Sequence, residues 1–600
     1  MLYPHQQEAL RWIKSTEEQP RLHAEQPRGG ILAHEMGLGK TITMLTHMSR
    51  HAGLNLVICP KSVLLNWLHE ATSKAFFVEE NILVYYGLNR KAPDLQDQVN
   101  LVLTTFDIVR TESTFKKTSL LYNTTWTRIV LDEAHRIAER NSKTSKSISQ
   151  LRGMNRWCLT GTPYKNGLSD IVALCKFLKI QPYSKATWWK HNAHNECSLR
   201  QWRAMHLHIR QKSASFLPPM TVHDCRLEPS PFEQWVQDTL RNTQFPNENR
   251  SKLQELELLK ILRMRQAAVH PLLFFPDEAR RVFLHSTDAK PAGHCASCGG
   301  RVEEEQEAEE LSTPVVEETD YALLATVEVD AVEGLQEPVQ EPWSIHNTGD
   351  TLRLSCDKHM LCNACANNSL ICPACLLEKY QCEDEWPHST KTREILQIIN
   401  QQEKTVIFSQ WTTCLDLLGA MCEHYGIPVL RFDGNVSSVD DRTNVIDEFA
   451  ASDTVKVLMT SLGAGAEGID LTCATTVVLV EPSWNRAIEK QAIDRVHRLG
   501  QQCSTRVYKL TLNNSIEKWI TELQHLKQQE LDFYLNGQIP DPVALSEAIK
   551  LDNSSLGKRQ QRLLEKTGSG SLHTWKKAPR ITTCDPTKGN MLSSFISCEV

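Results

Sequence analysis

Short apolar runs separated by longer amphipathic stretches dominate the chain from residue 29 to 178. LNLVICP (54–60), LVLTT (101–105), RIVLD (128–132) and RWCLTG (156–161) are continuous apolar runs rather than alternating ones, which predicts strands buried on both faces of a parallel βαβ sheet. Each run ends in Pro, Thr, Asp or Gly, and ligands of open α/β sheets bind at the carboxyl ends of the strands. The rhythm returns after residue 403 with KTVIFS, PVLRFDG, VKVLMTS, TTVVLVE and RVYKLTL. The pattern therefore predicts an α/β protein with two parallel-sheet lobes of similar architecture, over residues 1–185 and 381–535.

Between the lobes the pattern changes twice. Residues 186–286 read as mostly helical, because LQELELLKILRMRQAAVHPLL sets leucines at i, i+3, i+4 spacing on one face. Residues 287–380 are cysteine-rich, and the loop 299–350 within them is acidic, poor in aromatics and predicted to be disordered. The tail, 536–600, is polar and irregular, with GSGS at 568–571, and no element is assigned to it.

At 600 residues the chain has room for about four domains. Its 41% hydrophobic and 23% charged content excludes a fibrous, collagenous or wholly disordered protein. No apolar run approaches the roughly 18 residues that span a bilayer, and MLYPHQQEALRWIK lacks a signal-peptide core, so an unsecreted chain with no membrane partner is expected. Nineteen cysteines point to metal ligation and free thiols in a reducing compartment rather than a disulfide framework. The net charge of -6 is unevenly spread: residues 299–350 hold fifteen Asp/Glu against one Arg, which leaves the rest net basic. A mildly basic body suits a polyanionic partner but does not by itself require one.

Candidate chemistry begins at GGILAHEMGLGKTITML, which follows a loop and leads into a helix. Gly37, Gly39, Lys40 and Thr41 reproduce the end of a phosphate-binding loop, in which backbone N–H groups and a helix N-terminus cradle phosphates, Lys neutralises them and Thr reaches Mg²⁺. The strand RIVL then ends in Asp132, Glu133, Ala134 and His135. A carboxylate at such a strand end can hold Mg²⁺, and the next one can orient the attacking water. Together the two motifs predict hydrolysis of a nucleoside triphosphate.

GGILAHEMGLGKT, LVICPKSVLLNW, DEAH, LTGTPYKN, TSLGAGAEGIDL and QAIDRVHRLGQ, in this order, resemble the motifs of the Swi/Snf-like ATPases of helicase superfamily two. The resemblance covers residues 2 to about 530 and implies two RecA-like lobes, ATP and Mg²⁺ as ligands, and translocation on double-stranded DNA. It implies that Gln6 reads adenine, that Lys40 and Thr41 take phosphate and magnesium, and that Asp132 and Glu133 take metal and water. Arg495 and Arg498 match arginines that enter the nucleotide cleft when the lobes close. Candidate DNA contacts at strand ends are Lys61, Thr104, Thr105, Ser409 to Trp411, and Ser461 to Gly465, among them Ser461 and Gly463; a lone Thr or Ser there also serves to cap the next helix. Thr160, Gly161 and Thr162 resemble the family's coupling motif. Two positions depart from the family: Lys165 stands where it usually has Gln, and His34 where it usually has an acid.

The cysteine spacing is Cys295-x2-Cys298, then Cys356-x2-His359-x2-Cys362-x2-Cys365-x6-Cys372-x2-Cys375. Eight soft ligands in paired steps fit two tetrahedral Zn²⁺ sites, and their order resembles a RING finger. The resemblance implies one zinc on Cys295, Cys298, Cys362 and Cys365, and the other on Cys356, His359, Cys372 and Cys375. Swi/Snf-like ATPases with a RING between their lobes form a subgroup that includes the helicase-like transcription factor and yeast repair translocases, which implies a ubiquitin-conjugating enzyme as a partner. Ser297 and Leu376 depart from ligase-active fingers, so a purely structural finger stands beside the ligase reading. The expectation is a nuclear, DNA-stimulated ATPase that moves on duplex DNA, bare or in nucleosomes, in repair, damage tolerance or chromatin remodelling. Its alternatives are a ubiquitin-ligase scaffold whose lobes merely bind DNA, and an RNA helicase suggested by DEAH. Met1 lies five residues before Gln6, so the N-terminal domains usual in that subgroup are missing from this sequence, as they would be from a truncated chain or a reduced paralogue alike.

Overall fold

The computed structural model describes residues 2–19, 27–74, 76–87, 98–138, 142–163, 168–192, 195–210, 217–243, 250–274, 343–347, 352–356, 371, 375–376, 386–401, 403–434, 439–465, 469–498 and 500–536. They fall into two compact units, one drawn from Met1–Phe216 and Lys527–Pro542, the other from Leu217–Leu526.

Unit 1 is built on a seven-stranded, all-parallel sheet of β1 (Arg28–His34), β2 (Asn55–Cys59), β3 (Ile82–Val84), β4 (Leu101–Thr105), β5 (Thr125–Asp132), β6 (Arg152–Leu159) and β7 (Leu207–Arg210), in the order β3-β4-β2-β5-β6-β1-β7. Successive residues of each strand enter different cores. Ile31, Ile58, Ile129, Leu131 and Cys158 pack on one face, while Leu32, Val57, Val130, Trp157 and Leu159 pack on the other. Burial on both faces is why these strands read as unbroken apolar runs. The GGILAH stretch that leads into the phosphate motif, not among the runs read as strands, is β1. Its opening glycine permits the pairing, because a Cβ at Gly29 would fall 1.7 Å from the Arg156 carbonyl oxygen.

Unit 2 repeats the plan with β8 (Met220–Leu227), β11 (Thr405–Ser409), β12 (Val429–Phe432), β13 (Val457–Ser461), β14 (Thr476–Leu479) and β15 (Thr505–Leu512), all parallel in the order β12-β13-β11-β14-β15-β8. A separate antiparallel hairpin joins β9 (Trp343–Asn347) to β10 (Leu352–Cys356), and β9 lies within the loop expected to be disordered. The stretch expected to be mostly helical also supplies β7 and β8, and it divides between the units. Trp189, Leu199 and Trp202 fill the core of unit 1, whereas the helix Arg250–Val269 belongs to unit 2. Among the described residues, no helix is long and apolar enough to cross a membrane.

One buried ion pair fastens the base of the first sheet. Glu17, near the end of helix α1 (Pro4–Glu18), accepts hydrogen bonds from Arg128 Nε (3.0 Å) and Nη2 (2.9 Å), His47 Nε2 (3.0 Å) and Trp157 Nε1 (2.8 Å). These partners come from β5, helix α2 (Lys40–Arg50) and β6, so one carboxylate ties four elements together. Burial alone would push the Glu17 carboxyl up, but hydrogen bonds from His47 and Arg128 outweigh it and hold it at about 2. His47 is itself held below its ordinary value, chiefly by burial. A carboxyl that is depressed in the fold contributes stability above its ordinary 4.5 and loses that contribution as pH falls toward 2.

Glu17→Gln should lower the stability of unit 1 by about 3 kcal/mol, because Arg128 stays buried without its counter-charge. Denaturant unfolding at pH 7 reads the loss. Between pH 4.5 and 2 the gap to the wild type should narrow, and a constant gap would contradict the assignment.

Candidate nucleotide site

Parallel register assembles the site. Asp132 pairs with Leu159, and Leu159 with Leu32, so the segments that follow β5, β6 and β1 leave the sheet side by side at its carboxyl edge. After β1 the chain turns through Gly37 and Gly39, at φ +82° and +73°, and enters α2 at Lys40. The first turn of α2 carries neither a side-chain cap nor an acidic residue, which leaves its backbone N–H groups and positive dipole end for an anion. Lys40 is buried, and its Nζ donates to the carbonyls of His34 (2.9 Å) and Glu35 (3.3 Å).

Asp132, at the end of β5, is also buried. Its Oδ2 accepts from Trp67 Nε1 at 2.7 Å and its Oδ1 from the Glu133 N–H at 3.0 Å. Burial, followed by the neighbouring charge of Glu133, pushes its carboxyl up to about 6 against the opposing pull of Trp67 and Lys40. Glu133 adopts φ +48°, a left-handed conformation that is uncommon outside glycine. Its Oε2 lies 3.3 Å from His135 Nδ1, and that nitrogen lies 3.5 and 3.4 Å from the hydroxyls of Thr160 and Thr162. His135 thus links the DEAH turn to the TGT segment. Asp132, with both carboxylate oxygens oriented by fixed donors, is the carboxylate of this turn that could hold a divalent cation. Gln6 is buried beside the same loop. Its Oε1 accepts from the Tyr3 N–H at 2.9 Å, and its Nε2 donates to the Leu38 carbonyl at 3.4 Å.

Sequence reasoning did not assign Trp67 or His135, although both stand in motifs it quoted; only the fold shows which atoms they face. Arg495 is buried on the helix Arg486–Val496, whereas Arg498 is partly exposed, donates to the Ile469 carbonyl at 3.4 Å and lies 3.7 Å from Asp470. Glu489, a neighbour that could have paired with them, accepts from the Ser483 N–H and from Lys509. The side chains of three expected DNA contacts make hydrogen bonds within the fold. The Thr104 hydroxyl donates to the Tyr85 carbonyl, Thr105 caps the next helix by accepting from the Ile108 N–H, and the Ser409 hydroxyl donates to Glu481. All three are buried, because a polar group beneath the sheet edge must be satisfied internally. Lys61 and Gly463 are exposed, while Ser461 and Trp411 are half-buried, with the Arg265 guanidinium 5.3 Å from the Trp411 ring. Of the cysteine-module ligands, Cys356 ends β10 and Cys375 is buried; Cys295, Cys298, His359, Cys362, Cys365 and Cys372 lie outside the described residues, as does Lys165. Among the described residues, no group of three or more His, Cys, Asp or Glu is gathered as a metal site.

Two parallel-sheet units, the first with a phosphate loop facing an acidic strand end, define a P-loop protein of the two-lobed helicase class. The SNF2-related domain matches residues 5–270 and the Helicase conserved C-terminal domain matches residues 390–500. The chain thus carries an SNF2-related domain followed by a Helicase conserved C-terminal domain. It is 28% identical over 591 residues to the "DNA repair protein RAD5B" of Arabidopsis thaliana, covering 84% of this chain and 45% of that one. It is 26% identical over 536 residues to the human "Helicase-like transcription factor", covering 81% and 51%. With the "Probable global transactivator" of Orgyia pseudotsugata multicapsid polyhedrosis virus it shares 27% over 542 residues, covering 88% and 90%. The chain thus spans about half the length of the first two relatives and most of the third.

Gly39→Ala should destabilise unit 1 by about 1–2 kcal/mol through its left-handed backbone. It should also displace Gln6, whose Nε2 would lie 2.3 Å from the new Cβ. In a Gln6→Ala background the penalty, read by denaturant unfolding, should shrink; an unchanged penalty would show that the contact is immaterial.

Proposed function

We propose that the chain is a DNA-stimulated ATPase that moves along double-stranded DNA. The observation that carries this reading is the convergence of Lys40 and the α2 N-terminus, Asp132–Glu133, and His135 with Thr160 and Thr162 at the carboxyl ends of adjacent strands. Phosphates of ATP would be held by the first N–H groups of α2 and by Lys40, which exchanges the carbonyls of His34 and Glu35 for phosphate oxygens. Thr41 and Asp132 would hold Mg²⁺, which neutralises phosphate charge when bound. Glu133 orients the attacking water, and Gln6 reads the adenine edge. For Arg495 and Arg498 we retain the role of stabilising charge on the transferring phosphoryl group. Duplex DNA as the track, nucleosomes as its chromatin form, and nuclear work in repair, damage tolerance or chromatin remodelling are supported by the family and by the names of the relatives. Lys61, Trp411, Ser461 and Gly463 are the proposed DNA contacts, joined by the backbone, rather than the hydroxyls, of Thr104, Thr105 and Ser409.

A two-zinc RING-type module on the eight ligands, and a ubiquitin-conjugating enzyme as its partner, belong to the same proposal and rest on the ligand spacing alone. Metal analysis of the purified chain should find two zinc ions, with loss on Cys372→Ala; no zinc would end that part.

With Mg²⁺ and ATP, hydrolysis should rise on addition of duplex DNA, and Lys40→Ala should remove the increment. Rates measured side by side with duplex, single strands, RNA and nucleosomes test the track, and a rate indifferent to DNA or raised by RNA alone would overturn it. Because a metal-binding carboxyl must be deprotonated, Mg²⁺-dependent nucleotide binding should be full above pH 6 and fall as pH drops through it. Asp132→Asn should erase that inflection in a binding titration with a fluorescent ADP analogue.

A further inference from the structure

We propose that His34 and His208 form a hydrogen-bonded positioning pair that fixes the phosphate loop of unit 1 against the edge strand of its sheet. The loop's ligand rests on the function proposed above; the tie itself does not. His34 is the last residue of β1, fully buried, and its own carbonyl receives Lys40. Its Nε2 lies 2.9 Å from Nδ1 of His208 on β7, with ring centroids 5.0 Å apart. Backbone pairing runs alongside: Ala33 aligns with Ile209 and His34 with Arg210, and the Glu35 N–H donates to the Arg210 carbonyl at 3.0 Å.

Both rings are wedged in place. His208 leans on Trp12 of α1 at 5.1 Å, and Trp12 meets Trp157 of β6 edge-on at 5.3 Å. On the other side His34 faces His5 at 6.2 Å, and His5 Nε2 reaches the Leu38 carbonyl at 3.1 Å. A column of rings therefore runs from β6 through α1, β7 and β1 and ends on the phosphate loop. A displacement of His208 would be felt at His34, and through the His34 carbonyl at Lys40.

The contact requires one imidazole to donate and the other to accept, so a single N–H bridges two neutral rings. Burial holds His34 down at about 3, followed by the charges of His208, Lys40, His5 and Arg210; burial also lowers His208, with Glu8 opposing and Arg210 assisting. A neutral pair adds no negative charge beside an incoming phosphate. Nδ1 of His34 has no hydrogen-bond partner among the described residues, so the bridge to His208 is the ring's anchoring polar contact.

The test uses the full chain with His34→Leu, His208→Leu, their double variant, and the amide variants His34→Gln and His208→Asn. These amides place a donor near the original Nε2 and an acceptor near the original Nδ1. Hydrogen exchange of amides 35–41 without nucleotide, and affinity for a fluorescent Mg²⁺–ADP analogue, are the two readouts. Each leucine variant should raise exchange in that segment and weaken binding by about five- to tenfold. The double variant should be no worse than either single one, and the amide variants should recover most of the loss. Unchanged exchange and affinity in the leucine variants would overturn the proposal, as would amide variants as impaired as the leucines. If the leucine variants do not fold, imidazole ¹⁵N shifts of the wild type decide: complementary neutral tautomers around one bridging N–H support the pair, and independently titrating rings refute it. A wild type that binds no nucleotide would remove the proposed function while leaving the exchange contrast to judge the tie.

Discussion

Parallel pairing of β5 with β6 and of β6 with β1 is the constraint on which the candidate site depends. Each of these strands is buried on both faces, so a slip by one residue would exchange the side chains of two cores at once. The register is therefore held by hydrophobic packing, and it delivers three chain segments, distant in sequence, to one edge. Lys40, Asp132 and Thr160 meet because the cores beneath them admit one alignment.

The two ends of that sheet show how environment sets the character of a buried carboxyl. Glu17 and Asp132 are both withdrawn from water, which by itself raises a carboxyl. Glu17 faces a guanidinium, an imidazole and an indole N–H, and stays ionised down to about 2. Asp132 has one indole donor, one backbone donor and the adjacent charge of Glu133, and is pushed up to about 6. The first arrangement suits a structural anchor. The second leaves a carboxylate whose full charge is favoured when a cation arrives.

Unit 2 shows the same division between anchoring and exposed chemistry. Ser409 lies at the end of β11, where a DNA contact was expected, yet its hydroxyl serves Glu481, whose carboxyl burial raises to about 7. Gln501, inside the HRLGQ motif, donates to the carbonyls of Ala474 and Val496 and so closes the turn after its helix. Arg265 donates to Gln410 at 2.7 Å and lies over the rings of Trp411 and Trp484, joining the helix Arg250–Val269 to two strand ends of that sheet. Motif membership identifies a residue but does not reveal whether its side chain faces a ligand or the fold.

Much of the architecture was legible in the chain alone. Runs such as LVLTT and RIVLD announce doubly buried strands through their lack of alternation, and GLGKT and DEAH state their chemistry through residue type and order. β1 escaped because its paired glycines weaken the apolar signal; only the contact of Gly29 with Arg156, and of Gly30 with Trp12 and the His206 carbonyl, shows that close approach requires them. β7 and β8 escaped because edge strands are short or exposed and lack the apolar signal. The linear sequence was sufficient for what depends on local periodicity and functional-group identity: two α/β halves, a phosphate loop, an acidic strand end. Pairing across long separations, as in Glu17 with Arg128, Trp67 with Asp132 and His34 with His208, was decided by tertiary structure alone, because hydrogen-bond partners are chosen by distance in space and not by position along the chain.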